Sequence, residues 1–167
     1  KDKDKRIIFK KINAISFFLK NKKKFDLILI KQTIHLLNIN NIKNLVNKCK
    51  KNLNPGGKIF VFTLDPFKNE IPSFKLMKKL LNKSLQRDKI ILKFLSKIDS
   101  KIISKKFFYK VKITKKKYLK MVKNRFISTL LPMTKKEILD GIKEIDIKFD
   151  KILNFNDNLI CIILKKN

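Results

Sequence analysis

Two apolar runs, FDLILI (residues 25–30) and KIFVFTL (residues 58–64), have the length of a strand and almost no polar alternation. That pattern belongs to strands covered on both faces of a parallel sheet. Between them, in residues 38–53, Ile42, Leu45, Val46, Cys49 and Leu53 recur at helical spacing with lysines and asparagines opposite, which predicts one amphipathic helix. The tetrapeptide NPGG (residues 54–57) should stop it, because proline cannot continue a helix and glycine permits the positive φ of a turn. Strand, helix, turn and strand make a βαβ unit, whose two strands run parallel. Ligands in such sheets bind beyond the carboxyl ends of the strands. Here those ends are Lys31–Gln32 and Leu64–Asp65, so a crevice rimmed by IKQTIH and TLDPF is expected.

The whole chain, at 167 residues, is about one domain long and apolar enough, at 44%, to bury a core. Its formal charge of +30 would ordinarily indicate a polyanionic partner. Two features argue against that. Only Arg6, Arg87 and Arg125 are arginine among 43 basic residues, whereas sites that read phosphate or base edges favour the guanidinium fork. Lysine, asparagine and isoleucine share A/T-rich codons, so a biased genome accounts for the lysine excess without any partner. Cys49 and Cys161 stand far apart within apolar patterns and read as buried, reduced thiols of a cytoplasmic protein, not as a disulfide or metal site. No apolar run reaches the ~18 residues that span a bilayer. The first methionine is Met77, so the N-terminus reads as a cut edge.

Elsewhere, RIIFKKI (residues 6–12) reads as a strand and ISFFLKN as a short helical turn. Two further helices are expected at residues 73–85 and 88–98, a half-exposed strand at 107–113, and a short helix carrying Tyr118, Leu119, Val122 and Phe126. Thr134 and Glu137 have capping-box spacing ahead of a helix over 135–145, and NLICIILKK (residues 158–166) closes the chain as a strand.

These segments, in this order, resemble a family. FDLILIKQTIHLLN followed by LVNKCKKNLNPGGKIFVFT is similar to the fourth strand, next helix and fifth strand of class I S-adenosylmethionine-dependent methyltransferases. INAISFF (residues 12–18) resembles the end of their third strand, and YLKMVKNRFISTLLPMTKKEILDGIKEI resembles the late substrate-side helices of small-molecule members. The resemblance implies an α/β, Rossmann-like sheet, mostly parallel with an antiparallel C-terminal strand. It divides the chain into a cofactor-side βαβ portion (6–65), substrate-side helices and a strand (66–150), and the final strand (151–167). It also implies a departure. The family's glycine-rich loop and the acidic residue that holds the ribose are not found, the glycines being Gly56, Gly57 and Gly141 alone. The expectation is an incomplete domain lacking the first two strands, with the edge of the family's fourth strand left unpaired; the alternative is a degenerate paralogue that has lost the loop.

Site residues follow from that likeness. Asn13 and Ala14 take the place beside the cofactor's adenine, and Lys31 and Gln32 the place beside its methionine portion. Asn13 reads equally as a turn former. His35 is the sole histidine and the candidate general base, or else a packed histidine ahead of the next helix. Asp65, Arg125 and Ser128 are the candidate acceptor contacts. For Asp65 the alternative is turn chemistry before Pro66, and for Arg125 an ion pair with a helix carboxylate such as Glu137. No metal is implied. The function expected is methyl transfer to a small-molecule acceptor. The alternative is a non-catalytic lysine-rich module that binds RNA or acidic membrane on the same scaffold. A nucleic-acid acceptor is disfavoured because KQTIH stands where an NPPY-like tetrapeptide would follow the strand.

Overall fold

The computed structural model describes residues 7–98 and 102–166. The elements run α1 (Ala14–Lys20), β1 (Phe25–Lys31), α2 (Ile39–Lys51), β2 (Leu53–Leu64), α3 (Lys75–Ile98), β3 (Ile103–Thr114), α4 (Lys115–Lys123), α5 (Lys135–Lys148) and β4 (Ile152–Lys165). Single 3-10 turns at Ile34–Leu36 and Ser128–Leu130 join β1 to α2 and α4 to α5. The four strands form one sheet in the order β1-β2-β4-β3. β1 and β2 are parallel neighbours, as the βαβ reading requires, with Ile30 opposite Val61. β4 enters antiparallel between β2 and β3, so the sheet is mixed and its parallel part is confined to β1 and β2.

The NPGG stretch is absorbed into β2 and forms no separate turn. α2 ends at Lys51, where the Asn52 amide donates to the carbonyls of Lys48 and Cys49 at 3.1 and 3.0 Å. The pairing then slips between Phe25–Leu53 and Leu27–Lys58, and Gly56 takes up the irregularity at φ 74°.

Three further sequence expectations need correction. Residues 7–12 of RIIFKKI are not a strand, and Ile8 and Phe9 are each 77% exposed; Arg6 lies outside the described residues. A strand needs a neighbour to take its backbone hydrogen bonds, and no described strand runs beside it. The helices expected at 73–85 and 88–98 are one 24-residue helix, α3. Neither glycine nor proline interrupts it, and its buried stripe of Met77, Leu81, Leu85, Asp88, Leu92 and Leu95 passes straight through the supposed break. The strand expected at 107–113 spans all of β3, because β4 itself starts at Ile152 and offers a longer partner.

The core has two parts. Ile28 and Ile30 of β1, Ile59 and Val61 of β2, and Ile160, Ile162 and Leu164 of β4 face α2 and α3. A second cluster gathers Phe74, Met77, Tyr118, Val122, Leu130, Ile138, Ile145 and Leu153 where α3, α4 and α5 meet the start of β4. The capping box at α5 is formed in both directions: the Glu137 amide donates to Thr134 Oγ1 and the Thr134 amide to Glu137 Oε2. Cys49 and Cys161 are buried free thiols, and burial pushes the Cys49 thiol up to about 12.

The opposite face of the sheet is poorly covered. Side chains alternate along a strand, so Leu27 and Leu29 point away from the core and are 52% and 55% exposed. Leu29 sits in register with Phe60, and Phe60 with Ile163. The Phe62 ring packs 5.7 Å from that of Phe107, which is itself 46% exposed. Among the described residues β1 pairs on one side only.

Candidate functional site

At the carboxyl ends of β1 and β2 lies a cavity of about 320 Å³. β1 ends at Lys31, and Gln32 then turns the chain at φ 50° while its amide still donates to the Phe62 carbonyl at 2.8 Å. A non-glycine residue in that region is uncommon and costs strain, so the turn aims the next residues at the cavity at some expense. The following 3-10 turn places His35 on the wall, with Nε2 3.0 Å from Ser128 Oγ on the turn between α4 and α5. Leu64, at the end of β2, completes this side. The far wall comes from α3, α4, β3 and β4, chiefly Asp88, Tyr118, Phe126, Phe155 and Asp157.

Three of the sequence-predicted residues, Gln32, His35 and Ser128, are therefore brought together, although 93 positions separate the last two in the chain. The others do not line the cavity. Asn13 caps α1, its side-chain oxygen accepting from the amides of Ile15 and Ser16, and Ala14 is the first residue of that helix. Lys31 is exposed at the end of β1. Asp65 is buried, accepts from the Phe67 amide at 2.8 Å across Pro66, and has Lys106 Nζ 4.0 Å away. Arg125, at φ 54°, donates through Nη1 to the carbonyls of Leu130 and Leu131 at 2.6 and 2.9 Å. It thus holds the loop that carries Ser128.

Electrostatics distinguish the lining groups. Burial and the positive charge of Arg87 hold His35 below the ordinary imidazole value, so its ring is neutral at neutral pH. Arg87 itself donates to the Leu37 carbonyl at 2.8 Å. An NMR titration of the imidazole should place the His35 midpoint below ~6.5. In Arg87→Gln the midpoint should move up, because one of its two causes is gone; an unchanged midpoint would assign the whole effect to burial. Tyr118 donates its hydroxyl to the Pro72 carbonyl, and burial raises it far above the usual phenol value, so it is a wall and not a base.

Asp88 was not foreseen from the sequence. It is 3% exposed; its Oδ2 lies 3.5 Å from Thr63 Oγ1, and its Oδ1 has no partner. Burial pushes its carboxyl up to about 6, against the lowering effects of Thr63 and Arg87. A signal did exist, since an aspartate stands inside the stripe Leu81, Leu85, Asp88, Leu92 and Leu95. Asp157, also unforeseen, is half-buried; desolvation raises its carboxyl and Lys31 lowers it. Among the described residues no group of three His, Cys, Asp or Glu is placed to hold a metal ion, and no helix is long and apolar enough to cross a membrane.

No protein-family profile matches the chain, and no curated protein sequence matches it. Among solved structures, similarity is found to the plantazolicin methyltransferase BamL in complex with a triazolic desmethylPZN analog and SAH. The identity is 16%, over 93% of this chain and 59% of that one, with a TM-score of 0.40. The plantazolicin methyltransferase BpumL, in complex with a pentazolic desmethylPZN analog and SAH, is 14% identical over 92% of this chain and 56% of its own, with a TM-score of 0.39. The chain thus spans under two-thirds of the length of either protein.

Proposed function

We propose that this chain is the acceptor-side part of a class I S-adenosylmethionine-dependent methyltransferase acting on a small molecule in the cytoplasm. The observation that carries the reading is the parallel β1–α2–β2 unit, whose carboxyl ends open on an apolar cavity walled by His35 and Ser128. The two longer segments that resemble the family coincide with that unit and with the elements that close the cavity, whereas INAISFF, read as the end of a third strand, forms α1 away from it.

In this reading the cofactor would supply an activated methyl carbon, and the protein's part is to orient the acceptor and exclude water. The apolar wall of Phe126 and Phe155 excludes water. His35, neutral and held by Ser128, is suited to take the proton that the acceptor gives up. Arg125 and Asp65 act as supports, Arg125 by fixing the Leu130–Leu131 carbonyls and Asp65 by fixing the turn at Pro66. Of the four residues that the resemblance assigns to the cofactor, Gln32 alone lines the cavity. We therefore read the cofactor site as incomplete in this chain. The exposed face of Leu27 and Leu29 and the edge of β1 that no described strand pairs support the same view, since both are where further strands and helices would dock.

Calorimetric titration with S-adenosylmethionine tests this. The 167-residue chain should bind it weakly or not at all, and the chain extended by its upstream-encoded residues should bind it. Micromolar affinity of the 167-residue chain alone would overturn the incomplete-site reading. Failure of the extended chain to bind would overturn the methyltransferase reading itself.

A further inference from the structure

The charge of the cavity is opposite to that of the molecule. Among the described residues no lysine or arginine lines it, although 43 of the 167 residues of the chain are lysine or arginine, and the charged residues that do line it are the carboxylates Asp88 and Asp157. Asp88 lies in α3 and Asp157 in β4, so two separate elements bring carboxylates to one apolar chamber.

Asp88 is the more telling of the two. Among the described residues its Oδ1 is the single buried side-chain oxygen or nitrogen without a hydrogen-bond partner. Buried polar atoms are almost always paired, and a carboxylate that is not must find its partner in water or in a ligand. The two cations adjacent in sequence do not supply it: the Arg87 guanidinium donates to the Leu37 carbonyl, and Lys89 Nζ lies over the Phe67 ring, 5.2 Å from its centre. Lys31 is the cation that acts on Asp157 and stands outside the chamber. Around these carboxylates the surfaces are aromatic: Tyr118 meets Phe126 and Phe155 edge-on at 5.6 and 6.1 Å. Aromatic faces attract a cation and cover an apolar body. A chamber of about 320 Å³ is at the small end of the range for small-molecule sites.

We propose that this cavity takes a small protonated amine on an aromatic or aliphatic body, with Asp88 as the ion partner of the ammonium and Asp157 as its second acceptor. The proposal rests on reading the cavity as the acceptor site, and it names the acceptor class as an amine: the ammonium form is the one that binds, and it gives one proton to His35 before the freed nitrogen lone pair can take the methyl carbon. Because the surface of the chain is strongly cationic, an amine gains nothing from long-range attraction. Any preference for it must arise inside the cavity.

The test is an NMR chemical-shift titration of the chain with three probes of one shape: phenethylamine, phenethyl alcohol and hydrocinnamate. It is run at neutral pH and physiological ionic strength, where a Debye length of about 8 Å screens the lysine surface. Phenethylamine should shift the Met121 and Ile127 signals and bind about tenfold tighter than the alcohol, the discrimination expected of one charge-assisted hydrogen bond. Asp88→Asn should abolish that preference, and Asp157→Asn should reduce it. Equal binding of amine and alcohol, tighter binding of hydrocinnamate, a preference that survives Asp88→Asn, or no shift with any probe would each overturn the proposal. The titration uses no methyl donor, so the two failures are distinguishable: loss of the amine preference overturns this proposal and leaves the methyltransferase reading standing, whereas failure of the calorimetric test leaves an amine site that is not a methyl-acceptor site.

Discussion

Replacing Asp88 by asparagine is expected to raise the stability of the chain relative to wild type as the pH goes from acid to neutral. Burial lifts the Asp88 carboxyl in the folded protein from an ordinary 3.8 to about 6. Between those two values the folded state holds the proton more firmly than the unfolded state, so the wild type loses stability as pH rises through that window. Above about 6 the penalty is complete; below 3.8 it vanishes. At ~1.4 kcal/mol per unit, the gap between variant and wild type should widen by about 2 to 3 kcal/mol from the acid to the neutral end. Urea unfolding of both chains at a series of pH values measures this directly. A gap that does not change with pH would mean that Asp88 is solvated or paired in solution. A destabilising carboxylate kept at the wall of this cavity is the pattern expected of a residue retained for binding.

The second large effect is expected at Gly141, in the middle of α5. Alanine is worth about 1 kcal/mol over glycine in a helix interior, so propensity alone predicts that Gly141→Ala stabilises. Packing predicts the reverse. A Cβ built at Gly141 would stand 2.5 to 2.6 Å from three carbons of the Phe74 ring. That ring is 2% exposed and has nowhere to withdraw. Forcing a methyl group into a filled core costs about 1 to 3 kcal/mol, and a clash this close lies at the upper end. Net destabilisation of about 1 to 2 kcal/mol is therefore expected for Gly141→Ala, being the packing cost less the propensity gain. Phe74→Leu in the same chain should recover part of it, giving a favourable coupling in a double-mutant cycle. If Gly141→Ala proves stabilising by thermal unfolding, the contact between α5 and residue 74 is looser than a Cβ distance of 2.5 Å implies.

How far these features were legible varies with how local their causes are. The β1–α2–β2 unit could be read because continuous apolar runs, helical spacing and a Pro-Gly-Gly punctuation all point to one arrangement within forty residues. The capping box was legible for the same reason, since both of its bonds join Thr134 to Glu137. The continuity of α3 was not, because Asp88 reads as a helix start when its neighbours are unknown. It is in fact a polar member of the buried stripe, and tertiary packing overrides its local preference. Residues 7–12 failed as a strand because strand formation depends on a partner that the segment itself cannot specify. The site divides along the same line. Gln32 and His35 follow directly from where β1 ends, whereas their meeting with Ser128 and Asp157 depends on elements from the far end of the chain.

The bare side of the sheet has a consequence for how copies of this molecule treat one another. Leu27, Leu29 and Phe107 offer a greasy plane, and the rim of β1, free among the described residues, offers unmet backbone groups, but every copy also carries a net charge of +30. In dilute buffer, where the screening distance is about 30 Å, mutual repulsion keeps those planes apart. Concentrated salt shrinks that distance to about 3 Å and at the same time strengthens apolar cohesion. Brine should thus be the condition under which this lysine-coated protein clumps, and low salt the one under which it stays dispersed.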